Sequence, residues 1–141
     1  MTLRVVNDGA DAQEHGEDSI GREIAAAAQS VHAALGAGLP ENIYVRCLEE
    51  ELRARGVIVE AQVSLPVVYR DRKFSNAFTL DLLVQGSVIV QVKTADSLSP
   101  AHEAQLHTYM KHADADAGYL VNFNAPVMKD GVKRLVRRKK P

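Results

Sequence analysis

Thr79-Leu80-Asp81-Leu82-Leu83-Val84, then Gln85-Gly86-Ser87, then Val88-Ile89-Val90-Gln91-Val92-Lys93: two β-rich runs joined by a turn predict a β-hairpin. A loop of about three residues pairs Val84 with Val88 and sets Asp81 directly opposite Gln91. Side chains alternate across a strand, so Lys93 joins Asp81 and Gln91 on one face. Phe78, Leu80, Leu82, Val84, Val88, Val90 and Val92 line the other face, an unbroken apolar surface expected to be core. Everything here depends on register. A loop of about two residues would send Asp81 to the opposite face from Gln91.

An acid, an amide oxygen and an ammonium side by side on a strand pair suit the holding of a divalent cation and the steering of water toward a phosphate. The same three residues also suit a half-exposed hairpin that needs polar groups on its wet side. Leu83 and Ile89 share that side, so a further element should cover part of it.

Composition fits one domain. The chain has 141 residues, 46% of them hydrophobic and 25% charged, enough for one sizeable core and short for two. No apolar run approaches the roughly 20 residues of a membrane helix. The first residues lack the basic-then-apolar order of a signal peptide, so the cytoplasm is the expected compartment. Cys47 is the only cysteine, which excludes an internal disulfide and any zinc or iron-sulfur site built from several thiolates.

The formal net charge is only −1, but the charge is unevenly spread. Asp8, Asp11, Glu14, Glu17 and Asp18 lie among small polar residues, so residues 1–18 are expected to be a disordered acidic leader. Residues 19–136 would then form the folded domain, and 137–141 a basic tail. Lys133, Arg134, Arg137, Arg138, Lys139 and Lys140 suit either a phosphate backbone or plain solvation.

Between these ends, Ile20, Ile24, Ala27, Val31 and Leu35 fall on one stripe and predict a helix beginning at Asp18 or Ser19 and ending at Gly36. Pro40 opens a second helix that runs to Arg55, with Tyr44, Cys47, Leu48 and Leu52 inward and Glu41 in the first turn. A carboxylate there is favoured by the helix dipole alone. Strands are expected over 57–69 and 77–84, joined through Arg70-Asp71-Arg72-Lys73, and then over 88–93. Ser99 and Pro100 start a third helix to Ala113, on which His102, Gln105, Tyr109 and His112 share a face. His102 and His112 are too far apart along that helix to share a metal without another element. A last strand covers 118–123. Asn122 and Asn124 read as residues that shape the turn before Pro126.

Gly38-Leu39-Pro40-Glu41-Asn42-Ile43-Tyr44 resembles the GxxExxY signature of a group of small proteins in the PD-(D/E)XK nuclease superfamily. Leu65-Pro66-Val67-Val68-Tyr69, Asp81-Leu82-Leu83-Val84, His102-Glu103-Ala104-Gln105-Leu106, Asn122-Phe123-Asn124-Ala125-Pro126 and Lys129-Asp130-Gly131-Val132-Lys133-Arg134 resemble that family in content and order. The resemblance implies an α/β (α+β) fold with a restriction-endonuclease-like core, a mixed four-stranded sheet flanked by helices. It also implies roles. Asp81 would bind the metal, Lys93 would orient or activate water, and Glu41 would be the acid brought in by a helix. Gln105 and Tyr109 match a Gln-x-x-x-Tyr pattern that completes the site in the superfamily's recombination-nuclease branch.

Position 91 departs from the pattern, which has Glu two residues before the lysine. Gln91 offers an oxygen but no charge to a hard ion that prefers carboxylates. The reading that follows is hydrolysis of nucleic acid with Mg2+ or Mn2+ held by Asp81, Glu41 and Gln91, and with Arg70, Arg72, Lys73, Lys133, Arg134, Arg137 and Arg138 as backbone contacts. The competing reading is a nuclease fold that binds nucleic acid or a protein partner without cutting. No base-reading motif separates DNA from RNA.

Overall fold

The computed structural model describes residues 2–7 and 19–138. Helix α1 (Ser19–Leu35) buries Gly21, Ile24, Ala27, Ala28 and Val31 along the predicted stripe. It ends at Gly36, whose φ of 74° is a left-handed turn that glycine adopts without strain. Helix α2 (Glu41–Ala54) follows Pro40, and Tyr44, Val45, Leu48 and Leu52 are its buried residues. Gly56 ends it at φ 81°, with Val57 N–H returning to Leu52 O and Gly56 N–H to Arg53 O, the paired bonds of a Schellman motif.

Strands β2 (Val59–Tyr69), β3 (Arg72–Val84) and β4 (Val88–Lys93) form the expected meander. Helix α3 (Pro100–Ala113) crosses over to β5 (Ala117–Asn122), and the single turn α4 (Met128–Gly131) leads into β6 (Val132–Arg138). The crossover explains why β4 and β5 are parallel while every other neighbouring pair is antiparallel. Helices α1, α2 and α4 share one hydrophobic cluster with the sheet, and α3 shares the other. The sheet is thus sandwiched between helical layers. No helix among the described residues is long and apolar enough to cross a membrane.

The mixed sheet flanked by helices is the expected architecture, with more strands than the four of the sequence reading. Its order is β1-β6-β5-β4-β3-β2, where β1 is Thr2–Asn7. Two expectations therefore change. Thr2–Asn7 is an edge strand paired with β6, not part of a disordered leader, while residues 8–18 of that leader lie outside the described residues. Much of the supposed basic end is β6, because Val132 and Leu135 are 4% and 0% exposed and tie the segment into the core. The rest of that tail, residues 139–141, lies outside the described residues.

The hairpin register is the predicted one. Val84 pairs with Val88, Leu83 with Ile89 and Leu82 with Val90. Gln85 and Gly86 take φ of 54° and 69°, and Ser87 N–H closes the turn on Val84 O at 3.1 Å. The predicted apolar face is not continuous, however. Leu82, Val84, Val90 and Val92 pack with α1 and α2, whereas Leu80 and Phe78 join Leu106 and Met110 of α3. The partner strand changes sides at the same place, with Ala61 in the first cluster and Val63 in the second. Between them Gln62 has φ 53°, a left-handed residue that interrupts ordinary strand alternation and marks the bend.

Candidate active site

The β3–β4 backbone pairing ends at Leu82↔Val90, and beyond it side chains take over. Asp81 N–H donates to Gln91 Oε1 at 2.7 Å, and Val92 N–H donates to Asp81 Oδ2 at 2.8 Å. Each side chain thus satisfies a backbone donor of the opposite strand where the two main chains no longer pair. This fixes the head of Gln91, which is 5% exposed. One lone pair of its oxygen is already in use.

Lys93, the last residue of β4, is half-buried and its Nζ donates to Gln105 Oε1 on α3 at 2.8 Å. Gln105 is therefore brought to the hairpin, as the sequence pattern implied. Tyr109, one turn further along α3, meets the hairpin at Phe78 of β3, with ring centroids 4.5 Å apart. The nearby His112 ring lies 6.1 Å from Phe78. His102 is occupied at the start of α3, where its Nδ1 accepts from Ser99 N–H and its own N–H donates to Ser99 Oγ.

Glu41 begins α2, and its Oε1 accepts from the Thr94 hydroxyl at 3.3 Å. Thr94 directly follows Lys93, so this contact brings the acid to the end of β4. Burial pushes the Asp81 carboxyl above its ordinary 3.8; the Val92 N–H bond opposes this, the Glu41 charge adds to it, and Lys93 again opposes. Glu41 is thus close enough to Asp81 for mutual repulsion. Those two carboxylates and an amide oxygen form a hard donor set of the kind that holds a magnesium-sized ion together with several waters. Among the described residues no group of three or more His, Cys, Asp or Glu is placed to hold a metal.

Several residues that the sequence reading left out of the site support it. Tyr44 lies one helical turn after Glu41, and its ring stacks on Phe123 with centroids 4.5 Å apart and planes 4° from parallel. Its hydroxyl accepts from Leu39 N–H and donates to Gly36 O, so it folds the loop ahead of Glu41 onto α2. Asn124 Oδ1 accepts from Gly38 N–H at 3.1 Å, and His32 Nε2 meets Ala125 O at 2.9 Å. Asn122 Oδ1 accepts from Ala95 and Asn124 N–H while its Nδ2 donates to Ala95 O. This network joins the loop that carries Glu41 to the chain leaving β4. The turn-shaping reading of the two asparagines is consistent with it.

The basic residues fall into two groups. Arg70, Arg72 and Lys73 stand exposed at the β2–β3 tip. Lys133, Arg134, Arg137 and Arg138 belong to β6, in the other half of the sheet. Lys133 pairs with Glu103 of α3 at 3.6 Å, and Arg134 is half-buried. Arg137 corrects the sequence reading outright. It is 6% exposed, donates to Met110 O at 2.9 Å and Asp114 Oδ1 at 2.6 Å, and is therefore a structural clamp and not a phosphate contact. The Arg138 side chain lies outside what is described.

Comparison with curated proteins and comparison with solved structures each gave no match. A family model does match, over residues 18–135. That span includes Glu41, Asp81, Gln91, Lys93, Gln105 and Tyr109. With most of its length covered, the chain belongs to the PD-(D/E)XK nuclease superfamily.

Proposed function

We propose that this chain hydrolyses phosphodiester bonds of nucleic acid with the help of Mg2+ or Mn2+, and that it is one of the GxxExxY proteins of the superfamily. The observation that carries the reading is Lys93 held by Gln105 beside Asp81 and within one residue of the Thr94–Glu41 contact. Solvation of a hairpin does not require four elements to deliver these groups to one strand end. Asp81 and Glu41 would hold the cation, with the Gln91 oxygen as a neutral supplement. The bound ion would supply Lewis-acid polarisation of the phosphate.

Lys93 has the role of placing a water and countering charge as it builds on the phosphoryl oxygens. Its bond to Gln105 fixes the direction of the Nζ donors. General-base action would require a neutral amine and is no part of this proposal. Arg70, Arg72 and Lys73 are the proposed contacts to the nucleic-acid backbone, joined by Lys133 and Arg134 only to the extent that a substrate reaches β6.

A second reading, a relative that binds without cutting, draws on the reciprocal bonds between Asp81 and Gln91. They join the two strands directly, as a purely structural pair would. Cleavage of labelled single- and double-stranded DNA and RNA with Mn2+ or Mg2+ separates the two, using native protein, Lys93→Ala and Gln91→Glu. Nuclease action is expected in the native chain, lost by at least about 100-fold in Lys93→Ala, in line with removal of a group that stabilises developing charge. Activity only in Gln91→Glu would establish a scaffold disarmed by its amide. Silence in all three would favour the binding role.

A further inference from the structure

The β2–β3 ribbon extends well past the body of the sheet. Strand β4 pairs with β3 only at Leu82–Val84, and α3 reaches the ribbon at Phe78 through Tyr109 and His112. Beyond Phe78 the ribbon changes register opposite Pro66, passing from Leu65↔Phe78 to Val67↔Phe74. Asn76, with φ 52°, lies in that irregularity. Residues 68–77 are all exposed. The ribbon tip is therefore an arm.

Its composition is unusual for a solvated turn. Val68, Tyr69 and Phe74 are 60%, 63% and 49% exposed, and Arg70, Arg72 and Lys73 lie among them with Asp71 as the one acid. The pairs Val67↔Phe74 and Tyr69↔Arg72 put Tyr69, Arg72 and Phe74 on one face of the ribbon. The Arg70 guanidinium lies 5.3 Å from the Tyr69 ring centroid and that of Arg72 lies 5.9 Å from Phe74. Each exposed ring thus carries a cation beside it.

We infer that this arm is a stacking platform for single-stranded nucleic acid, with Tyr69 and Phe74 receiving bases and Arg70, Arg72 and Lys73 meeting phosphates. The partner class rests on the function proposed above, and the inference narrows it to single strands. Aromatic faces with adjacent cations match an unstacked base followed by a phosphate. A duplex keeps its base faces stacked and offers edges and phosphates instead, so it would use the cations and leave the rings idle. A purely apolar protein contact would leave three cations without partners. The arm also leads to the catalytic end of the hairpin: Phe74 and Asp81 are separated by seven residues of β3, roughly 20 Å of strand. A strand held at the tip is within reach of the site.

The test is binding by the full chain in a chelator, read by anisotropy of labelled oligothymidylate and oligouridylate of about 20 nucleotides and of a duplex of equal length, a span several bases wider than a minimal single-strand site. Tyr69→Ala/Phe74→Ala is expected to weaken single-strand binding about 10-fold or more and to leave duplex binding unchanged. Arg70→Ala/Arg72→Ala/Lys73→Ala should weaken both and flatten the salt dependence. Thermal melts check that both variants fold, as substitution of exposed side chains predicts. Single-strand binding unaffected by loss of the two rings, a native preference for duplex, or no binding at all would overturn the inference. Cleavage plays no part in this readout. Ring-dependent binding by a protein that never cuts would sustain the arm and sink the hydrolytic reading; cutting with ring-independent binding would do the reverse.

Discussion

At Asp81 two demands conflict. Burial favours the neutral acid, while a cation or Lys93 needs the charged one. Because the folded-state pKa is raised above the ordinary 3.8, the folded chain holds this proton more tightly than the unfolded chain does. The contribution of Asp81 to stability is therefore full below that value and is lost as pH rises through the raised one. Asp81→Asn, which can still accept from Val92 N–H, should melt close to the native protein near pH 4 and above it at pH 7. A difference that does not grow with pH would show that burial does not control this carboxyl. Saturating Mn2+ should raise the native melting temperature at pH 7 and leave that of Asp81→Asn unchanged. At this scale Asp81, Gln91 and Lys93 were legible because alternation and loop length suffice to bring them together. The parts that Tyr44, Thr94, Asn122 and Asn124 play were not, since their partners Phe123, Glu41, Ala95 and Gly38 lie far away in the chain.

The elements show where local patterns are enough and where they are not. Caps and glycines placed α1, α2 and α3 within a residue or two, because the signals are local. The change of face at Gln62 had no such sign: glutamine seldom adopts φ above zero, and nothing around it in the chain announces the bend. The strand β6 was hidden by its own charges, since its polar positions outnumber the residues that anchor it. Packing around two glycines gives a graded test of these joints. An added Cβ at Gly131 would lie 2.6 Å from the backbone oxygen of Asn122, the residue that holds the segment after β4. At Gly118 it would meet Leu106 Cδ1 at 3.0 Å and Met110 Sδ at 3.1 Å, the movable ends of side chains. Gly131→Ala should destabilise by about 3 kcal/mol and Gly118→Ala by about 1 kcal/mol, at the two ends of the usual overpacking range. Urea denaturation checks the order; equal effects would mean that the loop at Gly131 yields as easily as a leucine methyl.

Across the whole molecule, Arg137 ties the last strand to the end of the crossover helix. From β6 it reaches Met110 O and Lys111 O at the end of α3, together with Asp114 in the following turn. These carbonyls already accept from Ala115 and Asp114 N–H, and the guanidinium adds a further, charged donor at the negative end of the helix dipole. Arg137→Ala should lower stability by about 2–3 kcal/mol, the scale of hydrogen bonds to a charged group, while nucleic-acid binding by folded protein stays unchanged. A loss of binding with no loss of stability would return Arg137 to the substrate surface.

Gln91 also bears on the chain before it meets any ligand. A glutamate at this 5% exposed position would put a third negative charge beside Asp81, whose charge is already disfavoured by burial and by Glu41. The empty protein would then be held together against its own repulsion and would depend on an ion for part of its firmness. With the amide, the hairpin closes through Asp81 N–H to Gln91 Oε1 and Val92 N–H to Asp81 Oδ2, with no third carboxylate to repel. Under the proposed metal-dependent reading the amide would weaken the grip on a cation and spare the hairpin that third charge, so the native fold should keep its shape over a wider range of ion supply than Gln91→Glu.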